Sequence, residues 1–256
     1  MNTPHDLYLD LMMRCLTDWI YDCFDERARA EGRDWPARAH TMIGLKRLAN
    51  LRMCVETILD DGIPGDLIET GVWRGGATIL MRAILKGRGV TDRLVWVADS
   101  FAGLPAPDIA RYPNDEGITL HKFPQLAVPM ERVQENFRRY GLLDDQVKFL
   151  KGWFRDTLST APIERLAILR LDGDLYESTT QALDALYHKV SVGGFVIVDD
   201  YGNVEACRQA VHDFHARHGI TDPIQPIDWG GVYWRRTAEM VDRMKQREPL
   251  TPALSP

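Results

Sequence analysis

Two apolar runs in this chain end in doubled acids. The first closes as Leu171-Asp172-Gly173-Asp174 and the second as Val198-Asp199-Asp200. Asp172 and Asp199 lie 27 positions apart, the length of one strand–helix–strand unit. Neighbouring parallel strands would bring both ends to one edge of a sheet, and up to four carboxylates with them. Carboxylates crowded in this way repel one another and resist joint ionisation. A divalent cation relieves the repulsion, and an all-oxygen donor set suits Mg²⁺, Ca²⁺ or Mn²⁺. Such a cation lowers the pKa of a hydroxyl and orients it, while a nearby carboxylate or histidine takes the proton. The plain alternative is that these acids cap helices on solvated loops.

A third acid stands in a different setting. Residues 66–77 read Asp-Leu-Ile-Glu-Thr-Gly-Val-Trp-Arg-Gly-Gly-Ala. An apolar run ends in Glu69, Gly71 follows, and Gly75-Gly76 opens a helix-like segment. This is a strand, a tight turn where glycine lets the backbone approach a ligand, and a helix start. Asp99 closes the next apolar run, 30 residues after Glu69. An acid in that place bonds ribose hydroxyls in dinucleotide-binding sheets, so the pair reads as a site for a nucleoside-containing ligand. Thr70 and Val72 flank Gly71, so Gly-x-Gly-x-x-Gly is absent, which argues against NAD. Glu-x-Gly-x-x-x-Gly, at Glu69, Gly71 and Gly75, resembles the S-adenosylmethionine signature of Rossmann-like methyltransferases.

The elements that must position these groups are legible from periodicity. Apolar runs predict strands near 66–70, 94–98, 147–150, 166–171, 194–198, 224–228 and 231–235, and helices near 76–87, 129–140, 177–189 and 203–218. This alternation implies right-handed βαβ units and a mostly parallel sheet. Phe195-Val196-Ile197-Val198 is continuously apolar, as a strand covered on both faces should be. The short Asp228-Trp229-Gly230-Gly231 turn predicts a final antiparallel hairpin. Upstream, residues 6–30 read as one amphipathic helix with Leu7, Leu11, Cys15, Ile20 and Phe24 as its apolar stripe. Residues 41–60 read as a second, with Ile43, Leu48, Leu51, Val55 and Ile58 buried. The Pro-rich connection 101–128 begins at the ligand-binding edge and reads as a cover over the substrate. Residues 238–256 read as a flexible tail.

Composition narrows the class. The 256 residues suffice for one large α/β domain with a real core. A net charge of −6 disfavours a nucleic-acid surface, which shows as a basic excess. Cys15, Cys23, Cys54 and Cys207 have no CxxC spacing and read as reduced thiols of a cytoplasmic protein. Asp6 and Asp10 interrupt the start, so no secretion signal is expected, and no apolar run has membrane-spanning length.

The ordered motifs together resemble the macrocin O-methyltransferase (TylF/MycF/NovP) family. They are Thr41-Met42-Ile43-Gly44, Glu69 to Gly76, Asp99-Ser-Phe-Ala-Gly-Leu-Pro105, Gly152-Trp153-Phe154, Asp172-Gly-Asp-Leu-Tyr-Glu-Ser178, Val198-Asp-Asp-Tyr201 and Gly231-Val-Tyr-Trp234. The resemblance implies a class I, Rossmann-like methyltransferase fold and an S-adenosylmethionine- and Mg²⁺-dependent O-methyltransferase acting on a deoxysugar of an antibiotic-type glycoside. It implies Glu69 and Gly71 at the methionine part of the cofactor, Asp99 and Ser100 at the ribose, and Gly152 and Trp153 near the adenine. It implies Asp172, Asp199 and Asp200 on the metal, with Asp172 also the base. Trp73 is a further candidate for packing on the cofactor, and Asp174 or His121 an alternative base. Catechol-type relatives carry a Lys three residues after the first acid; here that position is Leu175, which disfavours a lysine base. The expected division is an N-terminal helical lid and oligomerisation segment (1–60), a methyltransferase domain (61–237) and the tail (238–256), in a homo-oligomer, dimer or tetramer. A non-sugar hydroxyl as acceptor, a silent cofactor-binding protein and a Rossmann oxidoreductase are the competing readings.

Overall fold

The computed structural model describes residues 3–21 and 25–237. Helices α1 (Pro4–Leu16), α2 (Glu26–Glu31) and α3 (Gly44–Asp60) come first. The sheet-forming part then runs β1 (Asp66–Thr70), α4 (Gly76–Gly87), β2 (Val95–Asp99), α5 (Met130–Arg139), β3 (Val147–Lys151), α6 (Phe154–Thr157), β4 (Leu166–Leu171), α7 (Tyr176–Leu186), β5 (Val190–Val198), α8 (Glu205–His218), β6 (Gln225–Pro226) and β7 (Val232–Arg235). Among the described residues these strands form a seven-stranded sheet in the order β3-β2-β1-β4-β5-β7-β6. The first five are parallel, and β7 runs antiparallel to both of its neighbours.

Strand order reverses between β1 and β4, and such a switch point opens a crevice at the carboxyl ends of the strands. Register makes that crevice level: Thr70 pairs with Ala98 on one side and Leu171 on the other, and Leu171 pairs with Val198. Gly71, Asp99, Asp172 and Asp199 therefore leave the sheet at one height. Alternation along β1 divides the core. Leu67 faces α1, α3 and α4, packing with Leu48, Leu51 and Ile84. Ile68 faces α7 and α8, packing with Leu183, Phe214 and Trp234. The predicted α3 stripe is buried at each of its five positions.

The N-terminal helix differs from the expectation. The run 6–30 is two helices, and α1 buries Leu9, Met12 and Leu16, while Leu7 and Leu11 are 59% and 55% exposed. The chain turns at Thr17, whose hydroxyl donates back to the carbonyls of Met13 and Arg14 (2.9 and 3.3 Å). Asp18 then takes a left-handed φ of 59°, which a helix cannot continue through. Cys23 and Phe24 lie outside the described residues. The connection 101–128 holds short 3-10 turns at 113–115, 120–122 and 124–126.

Candidate active site

The turn after β1 has the conformation glycine was expected to provide. Gly71 has φ 89°, and a Cβ there would lie 1.8 Å from the Asp172 carbonyl oxygen. The crossing of two strand ends leaves no room for any side chain. Gly75, at φ 86°, starts α4. Asp99 closes the same turn from β2: its carboxylate accepts the N–H groups of Val72 and Phe101, each at 2.7 Å. Burial raises its carboxyl above the usual range, and those N–H bonds oppose the shift. Ser100 donates its hydroxyl to the Gly103 carbonyl at 2.7 Å. Trp73 donates its indole N–H to the Gln125 carbonyl at 2.9 Å. Arg74 clamps the carbonyls of Pro36, Ala37 and Ala39 and stacks on Trp73.

Asp172, Asp199 and Asp200 converge: one carboxylate oxygen from each lies within 4.8 Å of the others. Asp174 joins them, its N–H donating to Asp200 at 3.1 Å. Two buried guanidiniums offset this charge, and sequence reasoning missed both. Arg170, within β4, donates to Glu69 (2.5 Å), to Asp172 (2.7 Å) and to Asp199. Arg47, on α3, donates to the other oxygen of Asp199 (2.5 Å) and to Asp228 (2.9 Å). Asp228 in turn accepts the N–H groups of Gly230 and Gly231, which fixes the β6–β7 turn. The signal was present: Arg170 interrupts an otherwise apolar strand, and Arg47 sits four residues after Ile43 on the predicted buried stripe. A charge in either place needs a buried partner.

Six carboxylates, Glu69, Asp172, Asp174, Asp199, Asp200 and Asp228, against two guanidiniums leave an excess of acids. Burial, then repulsion from Asp199, raises Asp172 to about 6. Burial, then Asp172 and Asp199, raises Asp174 to about 7. Asp200 is raised well above its ordinary value by burial and by Asp174, Asp172 and Asp199. Glu69 rises to about 8, chiefly by burial and against the pull of Arg170. Its Oε2 is buried with no hydrogen-bond partner.

One cavity of about 350 Å³ gathers Glu69, Gly71, Trp73, Asp99, Ser100, Gly152, Trp153, Asp172, Asp174, Asp199 and Asp200, positions singled out in the sequence for cofactor, metal or catalysis. Its other walls come from Arg33–Trp35 and Thr41–Ile43, from Leu120 and Leu126 of the long connection, and from Trp229. His121 is not a lining residue. On α8, His212 hydrogen-bonds the Tyr201 hydroxyl at 2.8 Å, and His215 and His218 lie against Trp234 and Phe214.

The strand order, the glycine turn at the switch point and the acids beside it define a class I, Rossmann-like methyltransferase. The chain belongs to the macrocin-O-methyltransferase (TylF) family, which residues 5–236 match, and is an O-methyltransferase. It is 58% identical over 245 residues to an 8-demethyl-8-(2,3-dimethoxy-alpha-L-rhamnosyl)-tetracenomycin-C 4'-O-methyltransferase of Streptomyces olivaceus, covering 91% of this chain and 94% of that one. It is 52% identical to the mycinamicin III 3''-O-methyltransferase of Micromonospora griseorubida, covering 93% and 99%. Among solved structures, the O-methyltransferase NovP superposes with a TM-score of 0.90 at 55% identity, over 91% of this chain and 100% of that one. The calicheamicin methyltransferase CalS11, at 20% identity and a TM-score of 0.59 over 92% and 94%, shares the fold.

Proposed function

We propose that the enzyme transfers the methyl group of S-adenosylmethionine to a hydroxyl of a deoxysugar on an antibiotic-type glycoside, with Mg²⁺ at Asp172, Asp199 and Asp200. The observation that carries this reading is the convergence of three carboxylates beside the glycine turn within one cavity. The relatives named for a rhamnosyl 4' position and a mycinamicin 3'' position support a sugar acceptor. The donor set suits a hard cation: every candidate ligand atom is a carboxylate oxygen, and their raised pKa values mark a site with charge to relieve. The unpartnered Oε2 of Glu69 suits a hydrogen-bond donor of the cofactor's methionine part. Gly71 adds close backbone approach, Asp99 and Ser100 would hold the ribose, and Gly152, Trp153 and Trp73 would line the nucleoside end.

S-Adenosylmethionine supplies an electrophilic methyl group. Mg²⁺ would supply a positive charge that lowers the pKa of the acceptor hydroxyl. The chain does the rest. Asp172, raised to about 6, is the proposed base; its carboxylate accepts from Arg170 at 2.7 Å. Asp174 is the second choice, since no arginine neutralises it. The segment 32–43 and the connection 101–128 wall the cavity and exclude water. Residues 1–60 are read as lid and oligomer contact, supported by the exposed apolar Leu7, Leu11, Ile20 and Tyr21. The setting is read as cytoplasmic, in keeping with the free thiols Cys15, Cys54 and Cys207; among the described residues no helix is long and apolar enough to cross a membrane.

The test is methyl transfer to a panel of deoxysugar glycosides, with and without EDTA, beside Asp200→Asn. Chelation and the substitution should each lower kcat by about a hundredfold, while binding of S-adenosylhomocysteine persists. Full turnover in EDTA would remove the metal from the mechanism. Absence of S-adenosylhomocysteine binding would remove the reading altogether.

A further inference from the structure

The connection 101–128 borders the cavity at both of its ends, through Gly103–Pro105 and through Leu120 and Leu126. Between them, Asp115 is fully buried while Arg111, Pro113, Asn114, Glu116 and Gly117 around it are exposed. A buried carboxylate requires partners, and these come from another element. The Tyr176 N–H donates to its Oδ1 at 2.6 Å and the Glu177 N–H to its Oδ2 at 3.0 Å. Those are the orphan donors of the first turn of α7. The residue before that helix is Leu175, which offers no side-chain acceptor. The cap that α7 lacks locally is supplied by Asp115 from the cavity's cover. Aromatic contact reinforces the join: the ring centroids of Tyr112 and Tyr176 are 6.3 Å apart.

The start of α7 is also where the acid-bearing loop ends. Asp172 leaves β4 in register with Asp199, and Asp174 follows in a left-handed φ of 59°. Asp174 reaches Asp200 through its own N–H. This four-residue link is fixed at one end by the β4 ladder and at the other by the first turn of α7. Moving that turn would move Asp174 and Asp172 with it.

We propose that Asp115 is a positioning residue that ties the cover of the cavity to the acid cluster, so that the cover in place and the carboxylates in place are one arrangement. By linkage, whatever holds the acids then also holds the cover, and the reverse. The inference rests on reading Asp172, Asp199 and Asp200 as a divalent-cation site.

The test uses the full chain with Asp115→Ala and Asp115→Asn, the latter keeping one acceptor oxygen. Mn²⁺ binding is followed by electron paramagnetic resonance, S-adenosylhomocysteine binding by calorimetry, and the cover by trypsin cleavage at Arg111 and Lys122. In Asp115→Ala, Mn²⁺ should bind about tenfold more weakly, the loss expected when a supporting partner is removed. Trypsin should cut the connection faster and kcat should fall, while S-adenosylhomocysteine binding stays unchanged. Asp115→Asn should lie between this variant and the parent, and it carries the test if Asp115→Ala does not fold. Parental Mn²⁺ affinity and cleavage rate in a folded variant would overturn the proposal. Should the parent enzyme bind no Mn²⁺, the cation reading fails on its own, and the tie stands or falls on the trypsin rates.

Discussion

At the residue scale, two adjacent acids have different duties. Asp199 is gripped on both oxygens by buried guanidiniums, Arg170 and Arg47, each exposed by 5% or less. Asp200 accepts a single backbone N–H, from Asp174. Removing one partner of a buried ion pair leaves an uncompensated charge and costs about 3–5 kcal/mol. Asp199→Ala should therefore lower stability by about that amount in urea denaturation, whereas Asp200→Asn should shift it by less than about 1 kcal/mol. Equal stability losses in the two variants would refute this division. It also makes Asp200→Asn the better probe of catalysis, because its fold survives. The acids themselves were legible in the sequence because each ends an apolar run. Their counter-ions showed only as charges set in apolar patterns, because nothing in a linear pattern shows that Arg170 meets Glu69 on the neighbouring β1 or that Arg47 reaches Asp228 from 181 positions away.

At the element scale, what could be read followed from strong local periodicity. β1, β4 and α4 fall where alternation and glycine punctuation put them, because their burial is two-sided and their ends are marked. The N-terminal helix was misread because Leu7, Leu11 and Cys15 form as good a stripe as Leu9, Met12 and Leu16. Only packing against α3 and α4 decides which stripe turns inward. The Asp115 cap was invisible for the same reason as the arginines: α7 carries no local capping signal to look for. The turn after β1 gives the sharpest test at this scale. Gly71→Ala meets both a left-handed φ and a carbonyl oxygen 1.8 Å from the new methyl group, so β1 and β4 must separate at the switch point. Gly62→Ala shares the positive φ, 64°, but meets no atom within 4 Å. The first should abolish S-adenosylhomocysteine binding or soluble expression. The second should cost about 1 kcal/mol, the strain of the backbone alone. Similar behaviour of the two would show that the close approach at Gly71 is unimportant.

At the scale of the whole molecule, the buried charges set how stability depends on pH, and two groups of them pull in opposite directions. Glu69, Asp174 and Asp172 have ordinary values of 4.5, 3.8 and 3.8 and rise in the fold to about 8, 7 and 6. Between those limits the native state holds protons that the unfolded chain releases. Their contribution is complete below about pH 4 and is lost as pH rises towards about 8. His215 runs the other way. Burial against Trp234 lowers it from 6.5 to about 4, so the unfolded chain takes up a proton that the fold refuses. Its contribution is complete above pH 6.5 and is lost as pH falls towards 4. In metal-free buffer the two slopes oppose each other between pH 4 and 6.5, and above 6.5 the acids act without that opposition. Thermal unfolding in EDTA should therefore show stability declining from pH 6.5 to 8. Glu69→Gln, which cannot ionise, should flatten that decline. His215→Phe, which keeps a ring against Trp234, removes that opposing slope and should make stability rise more steeply as pH falls from 6.5 to 5. A decline from pH 6.5 to 8 unchanged in Glu69→Gln would mean that the buried carboxyl beside Arg170 is already ionised at neutral pH, with the guanidinium outweighing the cost of its burial.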